Sequence, residues 1–449
     1  MSSGSAAKQP GSDPYLSGHG DSAYEVLHYD LDLAYKVETN RLDAEAVLTC
    51  RGLAAANAVH LDLHGLQVRK VFVDGRATKA AHDGGTLTLK HSVAPDEEFE
   101  VRVRYAGKPR PVPSRVHGST GWEELTDGVI VAAQPHGAPS WFPCNDRPDD
   151  KATYTVQVAV PPGYHVAVAG ELEGTRRSGA TITWRYRQDS PMPTYLATVQ
   201  IGRYTQIEQP GTAVPVRSLV PAGLDQEAFE ASFGRQPEML AFFAERFGPY
   251  PFASYTAVIT DDELEIPLES QGLSTFGRNH VDASWDAVRL VAHELSHQWF
   301  GNAVTLRRWQ DIWLHEGFAC YCEWLWSEHA GEATVQEHAD HHHERLSDLP
   351  QDLLLADPGP RDMFDDRVYK RGALTVHALR LRVGEERFEH LVRSWITERL
   401  GANVTTEEFI EHAGRVAGLD LSDLFEAWLY RTELPPRPEP PATITQATR

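Results

Sequence analysis

The sequence predicts an α+β protein, an N-terminal antiparallel β domain followed by a mostly helical domain. Three observations carry this. Short apolar runs of period two fill the first half, and apolar positions recur at helical spacing in the second. The change of period falls near residue 207, so 23–207 is assigned to the β domain and 208–434 to the helical one.

Residues 1–22, MSSGSAAKQPGSDPYLSGHG and the two that follow, are small, polar and rich in Gly and Pro; they are expected to form a disordered lead. They contain no apolar core of the kind a secretory signal needs. Tyr29, Leu31, Leu33, Tyr35 and Val37 then alternate with polar residues, as do Phe99 to Tyr105, Tyr154 to Val160 and Ile182 to Tyr186. Gly, Pro and Asp turns separate these runs, the pattern of half-buried strands. Beyond 208, QEAFEASFGRQPEMLAFFAERFG reads as one helix ending at Gly248, and Tyr255–Thr260 reads as a short strand. Val288, Ala292, Leu295 and Trp299 define a helix, and Asp311 is expected to N-cap the next, IWLHEGFACYCEWLW. Thr405 and Glu408 form a capping-box pattern before FIEHAGRVAG. The Pro-rich residues 435–449 are expected to be a disordered tail.

A formal net charge of −22 argues against a nucleic-acid partner, which requires a basic face. No run of apolar residues is long enough for a membrane span. The four cysteines, Cys50, Cys144, Cys320 and Cys322, form neither a zinc knuckle nor a disulfide ladder, which favours a reducing, cytoplasmic setting.

His293-Glu294-Leu295-Ser296-His297 is an H-E-x-x-H motif on a predicted helix. Histidines at i and i+4 share a face, so both imidazoles can reach one metal ion, and Glu294 is placed to act as general base on water. Glu316 follows His297 with eighteen residues between them, inside WLHEGFA. Two histidines and one glutamate are the protein ligands of an open catalytic zinc site, so one zinc ion per chain is expected on His293, His297 and Glu316. Glu323, two helical turns past Glu316, is a candidate acceptor for the free N–H of a ligand histidine. His338, His341, His342 and His343 look metal-binding, but their spacing suggests a solvated helix face.

HELSHQWFGNAVT with WLHEGFA resembles the aminopeptidase N family of gluzincin zinc peptidases, peptidase family M1. AQPHGAPSWFPCNDRPDDKATYTV, VYKRGALTVHALR, HYDLDL and LFEAWLYRTELP extend the resemblance over about residues 23 to 435. It implies a β saddle domain on a thermolysin-like catalytic domain, in a short form without the family's C-terminal helical domain. It also implies that Glu269 binds the α-amine of a peptide, that Gln134 helps hold that amine, and that Tyr369 stabilises the oxyanion. The sequence departs from the family at Ile266 and Ser270, which flank this segment in place of Gly and Asn, and at Pro139, His315 and Arg371.

The function expected is therefore removal of N-terminal residues from peptides with a free N-terminus. The alternatives are a zincin endopeptidase, an epoxide hydrolase of the leukotriene-hydrolase type and a non-catalytic zinc-binding protein. The sequence is compatible with a monomer and does not itself fix the oligomeric state. Glu265, beside Ile266, is a candidate for selecting a cationic first residue.

Overall fold

The computed structural model of the chain describes residues 13–438. The strand Tyr24–Lys36 lies at the heart of an eight-stranded sheet. Across that sheet the order is Glu171–Ser178, Thr181–Pro193, Lys151–Val160, Tyr24–Lys36, Arg41–Gly52, Glu98–Gly107, Gln67–Val73 and Arg76–Ala77. The alternation read from the sequence sets one face inward: Tyr29, Leu31, Leu33, Val101, Val103, Val156 and Val158 are buried. One pairing departs from the antiparallel expectation. Tyr24–Lys36 runs parallel to Lys151–Val160, with Tyr29 opposite Tyr154 and Leu31 opposite Val156. Parallel neighbours require a long connection, and here more than a hundred residues intervene.

The helices, in order, are α1 (Gln226–Ala231), α2 (Gln236–Phe247), α3 (Trp285–Ser296), α4 (Trp313–Ala330), α5 (Val335–Ser347), α6 (Asp366–Val383), α7 (Glu385–Arg399), α8 (Thr406–Ala417) and α9 (Ser422–Leu429). The single helix expected over 226–248 is thus two. Ser232 leaves helical geometry, a 3-10 turn spans Phe233–Arg235, and Pro237 falls in the first turn of α2, where its missing N–H costs nothing. Every residue of α4 from Trp313 to Ser327 is buried, as in a helix surrounded by protein. Among the described residues, no helix is long and apolar enough to cross a membrane.

The chain divides into two compact units, but not at residue 207. One comprises Met1–Pro237 and Phe252–Ala287, the other Glu238–Pro251 and Val288–Arg449. The first retains a second sheet, Thr205–Gln209, Val216–Val220, Tyr255–Ile259 and Leu273–Phe276, all of which but residues 205–207 falls in the range expected for the helical domain. Its last three strands are parallel, and such pairings join distant segments. The change of period marks where helices begin and not where the first unit ends.

Three further expectations change. Of the lead assigned to 1–22, residues 13–22 are ordered: Pro14–Leu16 form a 3-10 turn, Gly20 N donates to Asp62 (2.7 Å) and Asp21 N donates to Asn145 (2.7 Å); residues 1–12 lie outside the described residues. Of the tail at 435–449, Pro435 and Pro438 offer carbonyls to His343 and Gln336 of α5; residues 439–449 lie outside the described residues. Asp311 does not cap α4. Its Oδ1 accepts from the backbone N (3.1 Å) and hydroxyl (2.7 Å) of Thr406, so it serves the start of α8, where Thr405 and Glu408 form the expected capping box.

Two of the four histidines of α5 depart from the solvated face expected for them, while His341 is exposed as expected. His338 and His342 stack on Trp324 of α4 at 6.0 and 5.4 Å, and His338 Nε2 lies 2.8 Å from the Ser327 hydroxyl. Burial lowers both imidazole pKa values, that of His342 to about 3. Val335, Ala339 and Leu346 turn this side of α5 inward.

Replacing Asp311 by Ala leaves a buried helix N–H without its acceptor, at a cost of about 1–3 kcal/mol. Thr405→Ala removes the cap of α8 at about 1 kcal/mol. Urea midpoints of the two variants should fall in that order; an unchanged midpoint for Asp311→Ala would refute the assignment.

Candidate metal centre and amine anchor

Helix α3 ends at Ser296, and its last turns carry His293, Glu294 and, just beyond, His297. The helical path continues through His297, whose N–H donates to the His293 carbonyl (3.2 Å), so the two rings lie side by side with centroids 4.7 Å apart. Helix α4 brings Glu316 against them. Its Oε2 is 3.4 Å from Nε2 of both histidines, and one ligand atom from each of the three residues lies within 4.8 Å of the others. All three side chains are buried.

The outer nitrogens are already engaged. His293 Nδ1 is 2.8 Å from Glu323 Oε1, and His297 Nδ1 is 2.9 Å from the Phe300 carbonyl. These contacts fix each ring with Nδ1 protonated and turn each Nε2 inward as a lone-pair donor. Burial opposes charge on His293, yet Glu316 and Glu323 outweigh it and hold its pKa up to about 10. Burial likewise opposes ionisation of Glu316, but His297 and His293 keep its carboxyl well below the usual range. The site is a buried pocket that offers two imidazole nitrogens and one carboxylate oxygen, a donor set that fits a zinc ion.

The predicted partner of His293 is in place. Glu323 shares α4 with Glu316 and is itself held by Arg289 (3.2 Å) and Lys370 (4.0 Å). Lys370 and His293, with Arg289, keep its carboxyl ionised against burial. Arg289 and Lys370 were not singled out from the sequence. Arg289 stands one turn before His293 on α3, and that i, i+4 spacing is a usable signal. The Phe300 carbonyl has no sequence signal at all. Glu294 is buried beside His293 and adds to the field that raises its pKa. The Tyr369 ring, from the first turn of α6, lies nearly parallel to that of His293 at 6.1 Å. His315 is buried, and its Nε2 accepts the Leu306 N–H (2.8 Å), so this departure from the family pattern anchors the strand that follows the H-E-x-x-H helix.

Gln134 and Glu269 belong to the first unit, and it brings them together across 135 residues: Gln134 Nε2 donates to Glu269 Oε1 at 2.7 Å. Close backbone contact sets the Gln134 segment. A Cβ on Gly137 would stand 2.4 Å from the Gly121 nitrogen, so only glycine lets this turn lie on the strand Gly118–Leu125. Glu269 sits in a turn closed by reciprocal Leu268–Thr275 backbone bonds (3.0 and 2.9 Å). Glu269 and Ser270 are buried, while Ile266 is 66% exposed, so the isoleucine in the family's glycine position is accommodated at the surface. The segment before it is pinned by Asn279, which bonds both the N–H and the carbonyl of Leu264 (2.9 Å each), leaving Glu265 exposed.

An H-E-x-x-H helix, a glutamate from the next helix and a carboxylate behind the first histidine define the centre of a zinc metallopeptidase. The Peptidase family M1 domain matches residues 231–428, and the Peptidase M1 N-terminal domain matches 25–196. An M1 zinc metallopeptidase from Deinococcus radiodurans is 30% identical, with a TM-score of 0.87 over 96% of this chain and 99% of that one. A substituted M1 zinc metallopeptidase from the same organism, bound to a Tyr-Ser-Ala substrate, gives 0.88 at the same identity and coverage. The chain belongs to peptidase family M1. A leucyl aminopeptidase of Saccharolobus solfataricus is 24% identical over 92% of this chain and 54% of its own length. The chain spans about half the length of the curated relatives it matches.

Glu323→Gln keeps the shape of the side chain but removes the charge behind His293. Zinc affinity, measured by competition with a chelator, should fall about 10- to 100-fold; undiminished affinity would show that Glu323 does not tune the site.

Proposed function

We propose that this protein is a zinc aminopeptidase that removes single residues from peptides with a free N-terminus, acting in the cytoplasm. The observation that carries the reading is the Gln134–Glu269 pair. A buried carboxylate steadied by an amide N–H is suited to an α-ammonium, and an endopeptidase has no use for one. The cytoplasmic setting is supported by the cysteines, four in number and all buried, whose spacing forms neither a zinc knuckle nor a disulfide ladder.

In this mechanism Glu269 pairs with the α-ammonium of the peptide. Gln134 commits its NH2 to Glu269, so its Oε1 is the atom left to accept from the same ammonium. Bound zinc supplies a Lewis acid that polarises the scissile carbonyl and makes water easier to deprotonate. His293, His297 and Glu316 hold the metal. Glu294 takes the proton from the attacking water and passes it to the departing amine. Tyr369 donates its O–H to the carbonyl oxygen as negative charge develops there.

Glu294→Gln should bind zinc normally and lose turnover; near-normal activity would sink the base assignment. Chelation should stop the wild-type enzyme and added zinc restore it. The central measurement is hydrolysis of aminoacyl reporter amides beside their N-acetylated forms. Cleavage of the free amines alone is expected, whereas equal cleavage of both would replace this reading with an endopeptidase. Within that panel, Glu265→Ala should lower the lysyl-to-leucyl ratio of kcat/KM, and an unchanged ratio would remove Glu265 from specificity.

A further inference from the structure

Helix α6 carries Tyr369 at its start, and two unusual contacts hold that helix within the second unit. The first is with α4. A Cβ on Gly317 would lie 2.8 Å from the Gly372 Cα, and a Cβ on Gly372 would lie 2.7 Å from the Gly317 Cα. The two backbones therefore touch, and any side chain at either position forces the helices apart. Gly317 follows the zinc ligand Glu316 directly. Gly372 is three residues from Tyr369, on the same face of α6. The point of closest approach thus fixes the tyrosine relative to a metal ligand over about one helical turn.

The second contact is made by Arg371, about 100° round the helix from Gly372. Its buried guanidinium binds backbone carbonyls. Nε donates to Trp428 (3.0 Å), Nη1 to Thr432 (2.7 Å) and Leu353 (3.5 Å), and Nη2 to Ala427, Arg431 and Glu433. Ala427 and Trp428 belong to the last turn of α9, whose carbonyls lack helical partners and form the negative end of its dipole. Burial lowers the Arg371 pKa to about 10, which still leaves the group charged at neutral pH. The segment it grips continues past the matched catalytic domain, which ends at 428. Leu434 N then donates to Gln351 (2.9 Å). A lysine has one ammonium and cannot span this set of carbonyls.

We infer that Gly372 and Arg371 are positioning residues for Tyr369: the glycine contact sets the separation of α6 from the zinc-bearing α4, and Arg371 ties the other side of α6 to a strap formed by residues 427–433. The inference rests on the assignment of Tyr369 as donor to the developing oxyanion. The residues act through Tyr369, so their loss should appear in kcat and not in metal or substrate binding.

The test is a double-mutant cycle. Gly372→Ala and Arg371→Lys are each made in the wild type and in Tyr369→Phe, and kcat, KM and zinc content are measured with an aminoacyl reporter amide. Tyr369→Phe alone should lower kcat about 10²-fold. Gly372→Ala should lower it by up to about 10²-fold and Arg371→Lys by about tenfold, with zinc content and KM unchanged. In the Tyr369→Phe background neither should cost anything further. Full additivity, or a loss carried by KM or zinc content, would overturn the positioning role and leave the role of Tyr369 standing. An unchanged kcat for Tyr369→Phe would overturn both. If Gly372→Ala does not fold, Arg371→Lys, which keeps the charge, carries the same cycle.

Discussion

Two carboxylates, Glu316 and Glu323, sit on a helix that is buried on every side from Trp313 to Ser327. An ionised carboxylate in such a place costs several kcal/mol unless it is paired. Much of the second unit is arranged to meet that demand. Glu316 faces His293 and His297 at 3.4 Å each. Glu323 is met by His293, Arg289 and Lys370. A single imidazole, that of His293, joins the two carboxylates, so the protonation of His293 and the ionisation of Glu323 are parts of one arrangement.

Burial has a second consequence. Because α4 has no solvent face from Trp313 to Ser327, its neighbours must pack against it closely. Helix α3 brings the histidines and Glu294, and α6 brings Tyr369 and Lys370. Helix α5 covers Trp324 with the stacked rings of His338 and His342. The glycine contact between α4 and α6 is the tightest case of this packing. It costs helix propensity at both positions, a cost consistent with the demand for a short and fixed distance between the two helices.

The first unit solves a different problem, which is holding a polar pair in place from remote segments. Gln134 and Glu269 are brought together by a turn resting on a strand through Gly137 and by a tight turn closed at Leu268 and Thr275. Neither turn depends on the side chain it presents. That is why Ile266 can stand in a position where the family has glycine: it points to solvent and leaves the turn intact.

The sequence by itself determined the α+β class, the strand faces, the capping box at Thr405 and the spacing that gathers His293, His297, Glu316 and Glu323. All of these rest on local periodicity or on fixed spacing along a helix, which chain geometry converts directly into position. Tertiary structure alone decided the rest. The first unit runs past residue 207 because parallel strand pairing joins segments far apart in the chain, and no local pattern records it. Asp311 has the chemistry of a cap, but packing gave it to Thr406 and not to its own helix. His338 and His342 of α5 resemble part of a polar face until Trp324 is placed beneath them. The Phe300 carbonyl that orients His297 belongs to every residue's backbone alike, so only folding could select it.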